Sequence, residues 1–436
     1  MMEGETMIDK ETMGKRNRTK RTGFFSRVVR ELRRVVYIML DEYRIILKDS
    51  GLAVVLLGAP LLYPVLYSSI YRNETVRDMP IAVVDASQSS RSRELTRLLD
   101  ATPDLKVVYR LNNLEEAKDP FYRQKIHGVV HIPGDYHRKI HRNEQATVSI
   151  YSDMSSFMYY RAMMLGANLA ILDAGKDVSI QRLSAAGITG EAAEVSLSPF
   201  RYEKNILYNE PMGFASFLLP AILVLVLQQT LFFGITMTTG TLREERLTTI
   251  DPALRQKGKF FQGILGKSLC YLGLYLVHSV YGLLLIPRLF QLPHIGNPVD
   301  ILRFFFPFIL AVIFFSMVIS LFIRNRETGL IVFSFFSLIL LFLSGISWPE
   351  SNMPWGWKTF AMLFPSTFGI RGFLKINTMG AGMAQVQFEY VALWIQAACY
   401  FLVLLVVYRL QTRKKSVPAV NAPRDSSGLL CAAKRG

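Results

Sequence analysis

The sequence predicts a multi-pass α-helical membrane protein with six spans and an α/β domain inserted after the first span. Three observations carry that prediction. Six stretches, 51–71, 213–238, 268–287, 304–323, 328–347 and 390–408, contain no Asp, Glu, Lys or Arg. Each comes close to the roughly 20 apolar helical residues that a hydrocarbon core of about 30 Å requires. Charge gathers between these stretches, above all in the long segment 72–212, where strand-like and helix-like patterns alternate. Hydrophobic residues make up 51% of the 436, which is high for a soluble chain.

The elements follow in order. Residues 1–31 read as a disordered basic tail on the cytoplasmic side; from Lys15 to Arg34 there are nine basic residues and one acid, Glu31. Residues 32–50 read as an amphipathic interface helix. Leu32, Val35, Val36, Met39, Tyr43, Ile46 and Leu47 form one face, and Arg33, Arg34, Asp41, Arg44 and Lys48 the other. The first span, 51–71, ends at Tyr63-Pro64 and Tyr67 without a small-residue cleavage site, so it is expected to be retained rather than removed as a signal peptide.

Residues 72–212 read as an extracytoplasmic α/β domain. Ile81–Asp85, Leu105–Tyr109, Gly128–Ile132 and Ala146–Tyr151 are strand candidates. Ser89–Leu99 and Asn112–Gln124 have helical spacing, the latter with Asn112 or Asn113 as its cap. Ser155 to about Ala186 reads as one or two helices, and Phe200–Tyr208 as a strand returning to the second span.

Residues 213–409 supply five more spans. Between the second and third lies a charged loop, 239–267, with a helical pattern over Leu242–Ile250. The segment 348–389 carries Trp348, Trp355 and Trp357, which suit a membrane–water interface, and the helix breakers Pro349, Pro354 and Pro365. Short half-inserted helices are expected there. Residues 410–436 form a second tail. Basic residues flank the first span on its N-terminal side, fill the 239–267 loop (Arg243, Arg246, Arg255, Lys257, Lys259, Lys267), join the fourth and fifth spans (Arg324, Arg326) and follow the sixth (Arg409, Arg413, Lys414, Lys415). The positive-inside rule puts all of these, and both termini, in the cytoplasm.

Several function classes lose support. The spans hold no carboxylate at mid-depth, as ion-coupled carriers usually do. Their only imidazole is His278, expected to be a helix–helix hydrogen-bond partner, and Gln228 and Gln229 cannot cycle a proton. Phe261–Ser268 ends like a phosphate-binding loop, but Phe261 stands where glycine is needed and no strand precedes it. His127, His131, His137 and His141 are close in sequence, yet Arg138 and Lys139 sit between the last two and no Glu follows His137, so a solvated basic helix is expected rather than a metal site. No Gly-x-Ser-x-Gly elbow is present. The net charge of +16 is a topology and headgroup signal, and no nucleic-acid partner is expected.

Several motifs resemble one family in order and spacing. The interface helix followed by Lys48-Asp49, Met79–Asp85, Gly128–Tyr136, Tyr208–Pro211, Arg243–Thr249, Gly266-Lys267, Ser344–Pro349, Met353-Pro354 and Leu363–Thr367 are together similar to the permease subunits of type-2 ATP-binding-cassette exporters. Within that class they resemble the drug-exporter-like branch with a large extracytoplasmic domain, over about residues 33–409. Asp251-Pro252-Ala253 departs from the small or apolar residues of many members.

The resemblance implies a subunit that is not itself an enzyme and holds no cofactor, with ATP and Mg on separate cytoplasmic ATPase subunits. It implies an ATPase-coupling element at Arg243, Glu244, Glu245, Arg246, Leu247 and Thr248, interface-helix contacts from Met39, Glu42, Tyr43 and Ile46, and a re-entrant hairpin marked by Trp348, Pro349, Pro354 and Pro365. It further implies a second permease copy or paralogue, a bacterial inner-membrane location, export of a hydrophobic or amphiphilic compound, and in a two-membrane cell a periplasmic adaptor. The competing reading is a non-transporting receptor or scaffold sensing through 72–212; coupling to an ATPase separates the two.

Overall fold

The computed structural model describes residues 29–72, 74–198, 200, 205, 207–209, 213–246, 260–323 and 325–414, with the side chains of a few helical residues, among them Glu245 and Arg246, excepted. The tails 1–28 and 415–436 and the loop 247–259 therefore lie outside the described residues. The chain divides into two compact units, residues 1–69 with 218–436, and 70–217.

Helix α1 spans residues 29–48 and α2 spans Ser50–Ile70. They are separated at Asp49, whose carboxylate caps α2 by accepting the amides of Gly51 (2.9 Å) and Leu52 (3.2 Å). Inside α2 the stretch Val54–Gly58 is π-helical and ends two residues before Pro60. A proline lacks the amide that closes the preceding turn and its ring crowds the carbonyl four residues back, so a locally wider turn is the expected response.

The inserted unit contains β1 (Met79–Asp85), α3 (Ser90–Asp100), β2 (Leu105–Leu111), α4 (Leu114–Tyr122), β3 (Gly128–Ile132), α5 (Tyr136–His141), β4 (Ser149–Ser152), α6 (Phe157–Ala185) and α7 (Glu191–Leu197). The sheet order is β2-β1-β3-β4; β1 runs parallel to β2 and β3, and β4 closes the edge antiparallel to β3. Both faces are covered. Ile81 and Val83 pack with Leu95, Leu99 and Met163 on one side, while Ala82 and Val84 pack with Ala117 and Ile126 on the other. That is why β1 reads as a continuous apolar run rather than an alternating one. The four expected strands and the capped helices are present, with Asn113 as the cap of α4. Residues 157–185 form one helix. Strand β4 is shorter than expected, and α7 was not anticipated. The described residues of 200–208 form no strand; the rest lie outside the described residues. The two ends of the insert are tied together: Glu74 accepts the amide of Phe214 (3.0 Å) and its carboxylate accepts Ser216 Oγ (2.7 Å).

After the insert come α8 (Phe214–Arg246, in the first unit from Leu218 on), α9 (Phe260–Leu289, π-helical over Val280–Leu285 just before Pro287), α10 (Pro298–Ser320), α11 (Arg326–Leu343), α12 (Trp355–Ala361), α13 (Pro365–Met379) and α14 (Gln387–Lys414). Among the described residues, five helices are long and apolar enough to cross a membrane: Ser50–Ile70, Phe214–Glu244, Phe260–Leu289, Pro298–Ser320 and Gln387–Val407. Of the stretch expected as a sixth span at 328–347, residues 328–343 lie in α11, which ends at Leu343 and is not one of these five. Helices α8 and α10 are mostly buried, whereas only about a fifth of the apolar length of α2 and α14 is. In the core, Phe304, Phe305, Phe308 and Phe373 stack edge to face. Gly369 and Gly372 let α13 close onto them: a Cβ at Gly369 would lie 2.5 Å from the Phe308 ring, and one at Gly372 would strike Phe304.

Candidate functional site

Helix α1 turns Val35, Met39, Glu42, Tyr43 and Ile46 toward the bundle, a stripe at helical spacing. Glu42 is 3% exposed, which a carboxylate tolerates only if paired. Its Oε2 lies 3.3 Å from Lys267 Nζ, about two turns into α9, and its Oε1 accepts the Tyr271 hydroxyl at 2.8 Å. The Tyr43 hydroxyl donates to the Cys270 carbonyl (3.0 Å), and Gln262 donates to Glu31 (2.7 Å). Helix α1 is thus keyed onto α9 by polar contacts from Glu31, Glu42 and Tyr43. All four residues expected from the interface helix, Met39, Glu42, Tyr43 and Ile46, face the bundle. Of the wider apolar face, Val35 joins them, while Leu32, Val36 and Leu47 are exposed.

The expected coupling residues begin on the last turns of α8, continuous with the span. Arg243 donates to the carbonyls of Ile323 and Leu321, and Glu244 Oε1 accepts the Arg326 amide at 2.9 Å. Glu245 and Arg246 lie on the same helix with side chains outside the described residues, as Leu247 and Thr248 are altogether. A cavity of about 40 Å³, room for roughly two or three waters, sits between Glu42, Thr239, Arg243, Lys267, Tyr271 and Ser320. One end of the bundle therefore gathers Glu42, Lys267, Arg243, Glu244, Asp49 and Arg326.

From that end a hydrogen-bonded column runs along α9. Tyr271 lies 3.3 Å from Thr238 Oγ1, and Tyr275 donates to Thr230 at 2.9 Å. His278 Nε2 lies 3.0 Å from the Leu56 carbonyl, which makes Nε2 the donor. Leu56 is in the π-helical turn of α2, where Pro60 cannot offer it the usual amide. His278 is the helix–helix partner expected from the sequence. Gln228 donates to Ser366 on α13 (3.1 Å).

The segment 348–389 forms at the end of the bundle where α9 finishes; His294 bonds Asn377, and Ile295 donates to the Asn377 carbonyl (3.1 Å). Trp348 is exposed, Pro349 precedes a short 3₁₀ turn, Pro354 precedes α12, and Pro365 opens α13. Carbonyls at the break between α12 and α13 are satisfied by α14: Gln396 donates to Met362 (2.7 Å) and Tyr400 to Leu363. Glu350 bridges Lys358 (3.0 Å) and Arg371 (2.9 Å), and Lys375 pairs with Glu389 at 2.6 Å. Sequence reasoning missed Arg371, Lys375 and Glu389. The spacing of the two cations at 371 and 375 was the available signal.

In the inserted unit, the His137 and His141 rings meet edge to face at 4.3 Å on α5. Among the described residues no group of three metal-ligating side chains converges. His127 stacks on Tyr159 (3.8 Å) and its Nδ1 lies 3.1 Å from Asp153. The Ser155 hydroxyl and amide, then His127, hold the Asp153 carboxyl below its ordinary pKa.

Residues 50–406 match the family model of the ABC-2 family transporter proteins. No curated protein matches the chain. The match takes in more than half of the sequence, including α2, the inserted unit and all the helices from α8 to α13. The chain belongs to the ABC-2 transporter family, a family of membrane transport permeases that work with an ATP-binding-cassette ATPase component.

Proposed function

We propose that this ABC-2 family member is the permease half of an exporter that moves a hydrophobic or amphiphilic compound with ATP hydrolysed on a separate subunit. Two permease chains would pair with two cytoplasmic ATPases. Helix α11 would make the sixth crossing, the charged end of the bundle and both tails would face the cytoplasm of a bacterial cell, and the inserted unit would lie outside.

The observation that carries this reading is the Glu42–Lys267–Tyr271 network. It fastens α1 to the bundle at the same end where α8 delivers Arg243 and Glu244 toward the 247–259 loop. A stroke from an ATPase docked on that loop would reach α8 and, through the keyed contacts, α1. The spans' lack of mid-depth carboxylates supports an external energy source over ion coupling. Their apolar, outward-facing surfaces suit a substrate that partitions into lipid.

The test is co-expression with a cassette ATPase. The two should co-purify, and the chain carrying Glu244→Lys, Glu245→Lys and Arg246→Glu should insert normally but lose most of the transport-coupled hydrolysis. Unchanged hydrolysis and efflux in that variant would remove the coupling assignment. A chain that never binds an ATPase would remove the exporter reading itself.

A further inference from the structure

The contact between α1 and α2 is made at an elbow, and a residue distant in sequence holds that elbow. Arg326, the first residue of α11, sends a two-pronged guanidinium to Asp49: Nη1 lies 2.8 Å from Oδ2 and Nη2 lies 3.0 Å from Oδ1. The same Oδ1 caps α2 through Gly51 and Leu52. The Arg326 guanidinium beside it holds the Asp49 carboxyl below the ordinary carboxylate range.

The backbone of Arg326 is held from another side. Its amide donates to Glu244 near the end of α8 (2.9 Å), and Arg243 grips the carbonyls of Leu321 and Ile323 just before it. Two glycines clear the approach. A Cβ at Gly51 would strike Arg326 Nη2, and one at Gly240 would lie 2.8 Å from Arg326 Cα. The short segment 321–326 also joins α10 to α11. The ends of α1, α2, α8, α10 and α11 therefore converge on one side chain and its backbone.

We propose that Arg326 is the positioning residue that makes these ends move as one body, so that displacement received just past Glu244 is delivered to the α1–α2 elbow at Asp49. This rests on the exporter reading for its function. Lys would keep the charge but lose the fork that holds both carboxylate oxygens. Asn at position 49 would keep the helix cap and lose the ionic grip, which separates the two tasks of Asp49.

The experiment has two arms on the full chain. In the first, the chain and its ATPase are reconstituted in proteoliposomes, and ATP hydrolysis and transport of a fluorescent amphiphile are measured together. Arg326→Ala and Asp49→Asn are each expected to lower transport per ATP at least tenfold, with hydrolysis within about twofold of wild type and the melting temperature little changed. Arg326→Lys should recover part of the loss. Transport and hydrolysis falling in proportion, or not at all, would overturn the proposal. The second arm needs no ATPase: hydrogen exchange on the detergent-purified chain. Arg326→Ala should speed exchange several-fold at both 49–52 and 321–326. Faster exchange at only one of the two segments would show that Arg326 does not join them, and this holds even if the wild-type chain fails to engage an ATPase.

Discussion

Glu42 on α1 and Lys267 on α9 form an ion pair, 3.3 Å apart, in which both side chains are more than nine-tenths buried. Opposite charges so placed are costly to separate, because removing one leaves the other in a low-dielectric site; the penalty is typically about 3–5 kcal/mol. Glu42→Ala is expected to destabilise the detergent-solubilised chain by that order, read as a lowered melting temperature. Glu42→Gln with Lys267→Met, which removes both charges and keeps the volume, is expected to cost much less. Equal losses in the single and double variants would show that the pair is not the unit of stabilisation.

Helix α13 owes its close approach to Gly372. A methyl group there would strike the ring of Phe304, which is fully buried and packed edge to face on Phe305. Gly372→Ala is expected to destabilise by about 1–3 kcal/mol. Phe304→Leu should recover part of that loss in the same melting assay, since the smaller side chain vacates the ring's edge.

The inserted unit should show an acid-sensitive contribution from Asp153. Its carboxyl pKa is lowered in the folded state by Ser155 and then His127. A group depressed in this way stabilises the fold above its unfolded value, near 3.8, and the contribution is lost as pH falls through the lower folded value. Asp153→Asn should therefore speed hydrogen exchange in β3 and β4 at pH 7, and the gap from wild type should close in acid. A gap that persists unchanged at low pH would remove the carboxylate as its source.

Sidedness can be read by cysteine labelling. In a chain with Cys270, Cys399 and Cys431 replaced, a cysteine at Thr22 is expected to label only from the cytoplasmic side. Cysteines at Ser184 and Ser351 are expected to label only from outside. Ser351 and Thr22 labelling from the same side would show that α11 does not cross.

The α/β unit was legible because its signals are local. Met79–Asp85 and Gly128–Ile132 are apolar runs bounded by turn residues, and Asn113 caps the helix after β2. The spans were legible because lipid excludes charge. Within the interface helix the phase was only half legible. Val35 and Ile46 are buried, but Leu32, Val36 and Leu47, from the same apolar face, are not. Amphipathicity separates water from everything else; it cannot separate lipid from protein, and Glu42 enters the bundle because Lys267 is waiting there. Contacts of that kind depend on a partner hundreds of residues away, as do Asp49 with Arg326 and, at shorter range, Tyr400 with Leu363. No periodicity announces them. The prolines of 348–389 told where helices break, but not that Gln396 and Tyr400 would satisfy the carbonyls left open.

The most direct measurement is transport itself. The purified chain is reconstituted with its cassette ATPase in sealed proteoliposomes, ATP is added on the ATPase side, and the movement of a fluorescent amphiphile across the bilayer is followed. ATP-dependent movement away from the ATPase side, abolished by an ATPase that binds but cannot hydrolyse ATP, is the expected result. Hydrolysis that proceeds with no movement of any amphiphile, or movement indifferent to ATP, would contradict the assignment of this chain as an exporting permease.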